Sequence, residues 1–232
     1  MSWPIVSMHA AYKSRDEVVD GFLARPLNHK PMPTLVLLHG YRGVDAPQRA
    51  VTRRFAQAGF VCLSPDLFHG KIGANPAHCA YLKTSLDIER AVEKIVDSVG
   101  YLRALPFVGK KGIALSGFCM GGGLALYGLA RSHLFAAGVI FYQSLFPDPL
   151  ELKGIRAPLQ CHYGTQDANT TKEEIEAFRA ALSQYKKNLE IHLYRGAGHA
   201  FLNNPSSKSA ANRNAAQQSF ARSCAWLRKM LH

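Results

Sequence analysis

The sequence has no uninterrupted apolar run of the roughly 18–20 residues that a bilayer span requires. Its first residues, MSWPIVSMHAAYKSRDEVVDG, also lack the basic start and long apolar core of a secretion signal. Neither a membrane anchor nor export is expected, and the cytoplasm is the expected location. Cysteine is scarce: Cys62, Cys79, Cys119, Cys161 and Cys224 are odd in number, widely spaced and include no Cys-x-x-Cys pair. That spacing disfavours a disulfide framework and a zinc or other metal site, so free thiols are expected. Acidic residues are few as well, 16 against 28 lysines and arginines, for a formal net charge of +12. Such an excess raises nucleic acid or an anionic substrate as a partner. The basic residues, however, come as scattered pairs (Arg53-Arg54, Lys110-Lys111, Lys186-Lys187), and no nucleic-acid-binding signature accompanies them. Neither nucleic acid nor a membrane is therefore expected as a partner.

What is present is enough for a substantial core: 232 residues, 47% of them hydrophobic. Strand-like runs occur at 5–12, 18–25, 34–39, 60–65, 112–117, 136–143, 158–164 and 189–195. Amphipathic, helix-like stretches occupy about 47–58, 85–105, 121–132, 172–186 and 209–231. From residue 34 onward the two kinds alternate. This predicts an α/β fold with a mostly parallel central sheet of about eight strands, helices on both faces and a more antiparallel N-terminal pair. Functional sites then belong beyond the carboxyl ends of the strands. No linker or repeat divides the chain, so one domain over residues 1–232 is expected, with the first half of the polar segment 203–216 as a mobile loop before the last helix.

The stretch GIALSGFCMGGGLALYG, residues 112–128, sets a cysteine between a short buried strand and an apolar helix. A strand, a Gly-x-nucleophile-x-Gly turn and a helix form the nucleophile elbow of the α/β-hydrolases, here with Cys119 in the nucleophile position. Gly117 and Gly121 would let strand and helix pass closely, and the helix N-terminus favours a thiolate. The plainer reading is a buried cysteine in a tight turn; strand, elbow and helix in register favour catalysis.

A thiol needs a base, and the base an orienting acid. In the hydrolase order of nucleophile, acid and histidine, Asp167 in the loop after PLQCHYG and His199 in GAGHAF are the candidates. His162 and His192 lie inside strand-like runs and read as packed or edge-facing residues; Asp148, between prolines, reads as a turn former. For the oxyanion, the amide after the nucleophile, Met120, is one donor, and the loop HGYRGVD (39–45) supplies the other, Tyr41.

With these pieces in place the chain resembles the dienelactone hydrolases, also called carboxymethylenebutenolidases. The resemblance rests on GFCMGG (117–122), PDLFHG (65–70), GTQD (164–167), GAGHAF (196–201) and a C-terminal helix with CAWLRKML (224–231), and runs from about residue 18 to the end. It implies a Cys119, Asp167, His199 triad that cleaves a small ester or lactone, neutral or anionic, through an acyl-enzyme, without metal or organic cofactor, in a monomer or homodimer. Two positions depart from the family pattern. Where members acting on dienelactone carry a glutamate against the resting thiol, this chain has Gly40, with Asp45 the nearest acid to replace it. Where they carry a carboxylate-binding arginine, it has Asn203. Arg42, Lys83, Phe201 and Asn203 are then the candidate substrate contacts, although residues like Arg42 and Lys83 are more often solvated surface charges. Other readings stay open: the same mechanism on another ester or a thioester, a basic binding protein, or a peroxide sensor using the exposed thiol.

Overall fold

The computed structural model describes residues 2–28, 30–204 and 207–231. Its strands are β1 (Ile5–Ser14), β2 (Glu17–Pro26), β3 (Met32–Leu38), β4 (Val61–Pro65), β5 (Val108–Phe118), β6 (Phe135–Phe141), β7 (Leu159–Gly164) and β8 (Leu189–Tyr194). Its helices are α1 (Ala46–Gln57), α2 (Pro76–Thr84), α3 (Ile88–Arg103), α4 (Met120–Arg131), the short α5 (Pro149–Leu152), α6 (Lys172–Gln184) and α7 (Ala210–Leu231). The eight strands form one sheet in the order β1-β2-β4-β3-β5-β6-β7-β8. β1 and β2 are antiparallel, as are β2 and β4, and every pairing from β4 through β3 to β8 is parallel.

This is the expected architecture, and the sequence pattern explains it. Residues of β4 and the last five of β3 are buried without interruption, as befits strands covered on both faces. Leucines and phenylalanines of α1 and α7 fill one side of the sheet, including Phe55 and Leu227. On the other side α3, α4 and α6 contribute Ile95, Leu126 and Phe178. Side-chain oxygens of Asp45, Asp87 and Thr171 accept the first free amides of α1, α3 and α6. The cap at Asp87 is why α3 starts three residues later than its periodicity predicts.

Two helices fall outside the predicted set. α2 is short, and its signal is the Asn75 cap followed by Pro76 at the first helical position rather than an apolar stripe. α5 is a single turn capped by Asp148, which is thus the turn former expected. β5 also begins earlier than predicted, at Val108. Of the loop expected over 203–216, residues 205 and 206 lie outside the described set. Among the described residues no helix is long and apolar enough to cross a membrane.

The junction of β5 and α4 positions the site. A Cβ on Gly117 would stand 2.2 Å from the carbonyl oxygen of Gly121, and one on Gly121 would stand 2.5 Å from the carbonyls of Leu38 and His39. Only hydrogens fit there. The chain reverses between them through Cys119, at φ 56° and ψ −122°, a left-handed conformation that a non-glycine residue adopts only when its surroundings impose it. We expect Gly117→Ala and Gly121→Ala each to cost about 2 kcal/mol or more through overpacking. In contrast, Gly100→Ala, exposed in α3 with nothing near its Cβ position, should gain up to about 1 kcal/mol of helix propensity. Urea unfolding midpoints test both signs, and an unshifted midpoint in Gly117→Ala contradicts the steric account.

Candidate active site

Cys119 stands at the head of α4, beyond the carboxyl end of β5. Its amide donates to the Phe141 carbonyl at 3.1 Å, and its carbonyl accepts from Gly122 and Ser144, each at 3.1 Å. The backbone is thus pinned from β6 and from α4, which holds the strained turn in place. The side chain is half-buried, whereas the other four cysteines are buried. Burial pushes Cys161 and Cys224 up to about 12, so their thiols stay protonated.

Asp167 follows β7 and His199 follows β8, two adjacent parallel strands that end at the same edge. The two loops are tied together: the amide of Gln166 donates to Ala197 at 2.9 Å, and that of Thr165 to Tyr194 at 3.0 Å. From α7, Asn212 accepts the Gly198 amide at 2.8 Å. His199 Nδ1 lies 2.8 and 3.0 Å from the two carboxylate oxygens of Asp167, whose side chain is fully buried. The carboxylate therefore accepts a hydrogen bond from Nδ1–H, leaving Nε2 directed inward. Nε2 is buried and faces the sulfur of Cys119. Tyr142 packs its ring against the imidazole at 5.0 Å and donates its hydroxyl to Asn203 at 3.0 Å.

The electrostatics follow from this layout. Burial opposes charge on the Cys119 sulfur, but the His199 imidazole, the Ser144 hydroxyl and the Met120 amide outweigh it and bring the thiol below its ordinary value. Burial likewise opposes charge on His199, yet Asp167 and the sulfur raise it to about 9. Each group thus favours the charged form of the other.

A small cavity of about 50 Å³ opens over the sulfur, walled by Gly40, Tyr41, Arg42, Phe118, His199 and Asn203 among others. Its loop, residues 39–45, is set by His39. Burial disfavours the charged form of this imidazole; Nε2 accepts the Leu67 amide at 3.1 Å, so Nδ1 carries the proton given to the Gly40 carbonyl at 2.8 Å. The amide of Tyr41 meets no acceptor among the described residues.

The structure brings Cys119, Asp167, His199, Tyr41, Met120, Arg42 and Asn203 to one edge, and it corrects two expectations. Phe201 does not reach the cavity; it is buried in the core, edge-on to Tyr142 and Tyr194. Lys83 is absent from the cavity wall and instead points its Nζ at the Ser144 hydroxyl, 3.5 Å away. Asp45 is not available to replace a glutamate at the thiol: one oxygen caps α1 at Gln48 and the other holds Arg42 Nε at 3.1 Å. At Gly40 a Cβ would sit 3.7 Å from that of Cys119, an ordinary contact, so a side chain has room there and would face the nucleophile.

Ser144, with its hydroxyl 3.4 Å from the sulfur, is the residue that sequence reasoning missed. Its position just past the end of β6, where sites of such sheets collect, was the available signal. His162 and His192 are, as expected, strand residues away from this edge; His162 is enclosed by Tyr194, Gln160 and Ser223. Among the described residues no cluster of three or more His, Cys, Asp or Glu could hold a metal ion.

A profile of the dienelactone hydrolase family matches residues 19–231. "Protein usf" of Aquifex pyrophilus is 27% identical over 193 residues, 80% of this chain and 82% of that protein. A Bradyrhizobium protein named "Probable 2-oxo-3-(5-oxofuran-2-ylidene)propanoate lactonase" is 28% identical over 192 residues, covering 78% of this chain and 77% of the relative. The crystal structure of a dienelactone hydrolase-like promiscuous phosphotriesterase from metagenomic libraries superposes with a TM-score of 0.88 at 18% identity, over 98% of this chain and 99% of that one, which shows the shared fold. The chain belongs to the dienelactone hydrolase family and is a carboxylic ester hydrolase of the α/β-hydrolase fold.

Proposed function

We propose that the chain hydrolyses small carboxylic esters or lactones by nucleophilic catalysis, with Cys119 as nucleophile, His199 as general base and acid, and Asp167 as its orienting carboxylate. The observation that carries this is the continuous line from the buried Asp167 carboxylate through His199 Nδ1 and Nε2 to a sulfur held in a strained, half-exposed turn. The thiolate attacks the carbonyl carbon, and the oxygen that gains charge lies between the amides of Tyr41 and Met120. As the C–O bond breaks, the leaving alkoxide takes the Nε2 proton from the imidazolium. In a lactone that alcohol stays attached, because the bond broken is in the ring. Water then gives a proton to His199 and attacks the thioester; the C–S bond breaks, the acid leaves and the thiolate–imidazolium pair returns.

The roughly 50 Å³ cavity favours a short acyl group, and the lactonase name of the Bradyrhizobium relative supports the lactone arm. Arg42, on the cavity wall with its Nε held by Asp45, is the residue best placed to meet an anionic substituent. The missing carboxylate at Gly40 leaves the resting sulfur to Ser144 and His199, so the free enzyme rests as thiolate.

Three outcomes are expected. Cys119→Ala should abolish turnover of p-nitrophenyl acetate, while His199→Ala and Asp167→Asn should each lower kcat/KM by about 10²–10⁴ with little change in melting temperature. Full activity in Cys119→Ala would sink the assignment. Turnover should rise with pH through the lowered Cys119 value and fall again through about 9 as His199 loses its proton; a profile still climbing above that point contradicts the ion pair. Iodoacetamide should alkylate Cys119 well below the ordinary thiol value of about 8.5. Its midpoint should move up in Ser144→Ala, which removes a donor, and further up in Gly40→Glu, which adds an anion. If neither variant moves it, the account of the resting thiol is wrong.

A further inference from the structure

The basic residues are scattered along the chain, but not in space. β3, β5, β6, β7 and β8 are parallel neighbours, so the segments that enter them lie side by side along the edge of the sheet opposite Cys119, over about 19 Å at the usual strand spacing. Those segments, residues 26–31, 104–107, 132–134, 153–158 and 185–188, contain no Asp or Glu. Together with the end of α3 and the first turn of β5 they present Lys30, Arg103, Lys110, Arg156, Lys186 and Lys187, none of which takes part in an ion pair. The acids that border this edge in the sequence are already engaged: Glu151 by Arg131, and Glu190 by Gln160 and Trp226. Most of the other acids lie on the β1–β2 turn, on α3 or around the catalytic edge.

Three large apolar side chains stand exposed at the same basic edge: Trp3, 40% exposed beside Gly59, Leu27, 63%, and Leu134, 42%. At this edge a cavity of about 210 Å³ is walled by Arg103 and Lys110, by Gly109 and Gly112 and by Val108 and Ile113, and its two cations suit a phosphate headgroup. Lysines as hydrated point charges, mixed with tryptophan and leucine that can enter the headgroup layer, match an anionic bilayer better than a nucleic acid, where arginine forks and stacking rings predominate. We propose that this edge docks the protein on anionic phospholipid membranes, with the Cys119 cavity at the opposite edge left open to solvent. The inference is independent of the catalytic assignment.

The test is co-sedimentation of the whole protein with vesicles of phosphatidylglycerol and phosphatidylcholine in equal parts, against phosphatidylcholine alone. Binding is expected only to the anionic vesicles. It should be lost between 0.1 and 1 M salt, as the screening length falls from about 10 to about 3 Å. The triple variant Lys110→Glu, Lys186→Glu, Lys187→Glu should bind at least about tenfold more weakly. Lys71→Glu, Lys172→Glu, Arg195→Glu, with the same change in net charge on two loops and the first turn of α6 at the Cys119 edge, should stay within about twofold of wild type. Equal losses in the two variants would mean that net charge alone drives binding, and would overturn the proposal. So would the absence of salt-sensitive vesicle binding by the wild-type protein, an outcome that holds even if a variant fails to fold. Retention on duplex DNA or single-stranded RNA without vesicle binding would reassign the edge to nucleic acid and equally overturn it.

Discussion

The contact between the end of β5 and the start of α4 is the constraint from which the site follows. Where Gly117 and Gly121 press backbone on backbone, no gentler turn connects strand to helix, and the one residue at the apex must take a positive φ. A β-carbon at that apex projects away from the sheet. The same closeness puts the first amides of α4 beside the side chain, so the sulfur is exposed and met by N–H dipoles in one step. The strain is local and is held by β6, through the bonds of Cys119 with Phe141 and Ser144.

Charge in this site is a balance rather than a gift of any single group. Burial acts against both the thiolate and the imidazolium. The His199 imidazole favours a charged sulfur, with Ser144 and Met120 adding to it, while Asp167 and then the sulfur favour a charged imidazole. Asp167 can do this because its carboxylate is itself dry and accepts from two donors, the His199 ring nitrogen, which reaches both oxygens, and the Asn169 amide. His39 plays the corresponding part for the loop 39–45 as a neutral clamp: a charged imidazole there could not accept the Leu67 amide. The surface divides as well. The catalytic edge carries the acids that orient and cap, whereas the opposite edge is almost purely basic, because parallel topology sends every strand entrance to one side.

The alternation of apolar runs and amphipathic stretches determined the sheet and its helices, since strands buried on both faces must be apolar throughout. The order Cys119, Asp167, His199 was legible because each follows a strand-like run, and a parallel sheet brings all strand exits together. Other parts depended on the tertiary structure. α2 carries its start in a cap, not in a period, and was invisible to periodicity. Phe201 is adjacent in sequence to a loop that lines the cavity, yet Tyr142 and Tyr194 draw it into the core. Ser144 and Lys83 received their parts only from side-chain contacts between segments distant in the chain. Likewise, dispersed lysines became one basic edge only when five strands lined up. Residue type and local spacing encode what is periodic or consecutive; contacts between separate loops depend on the register and order of strands, which local sequence does not carry.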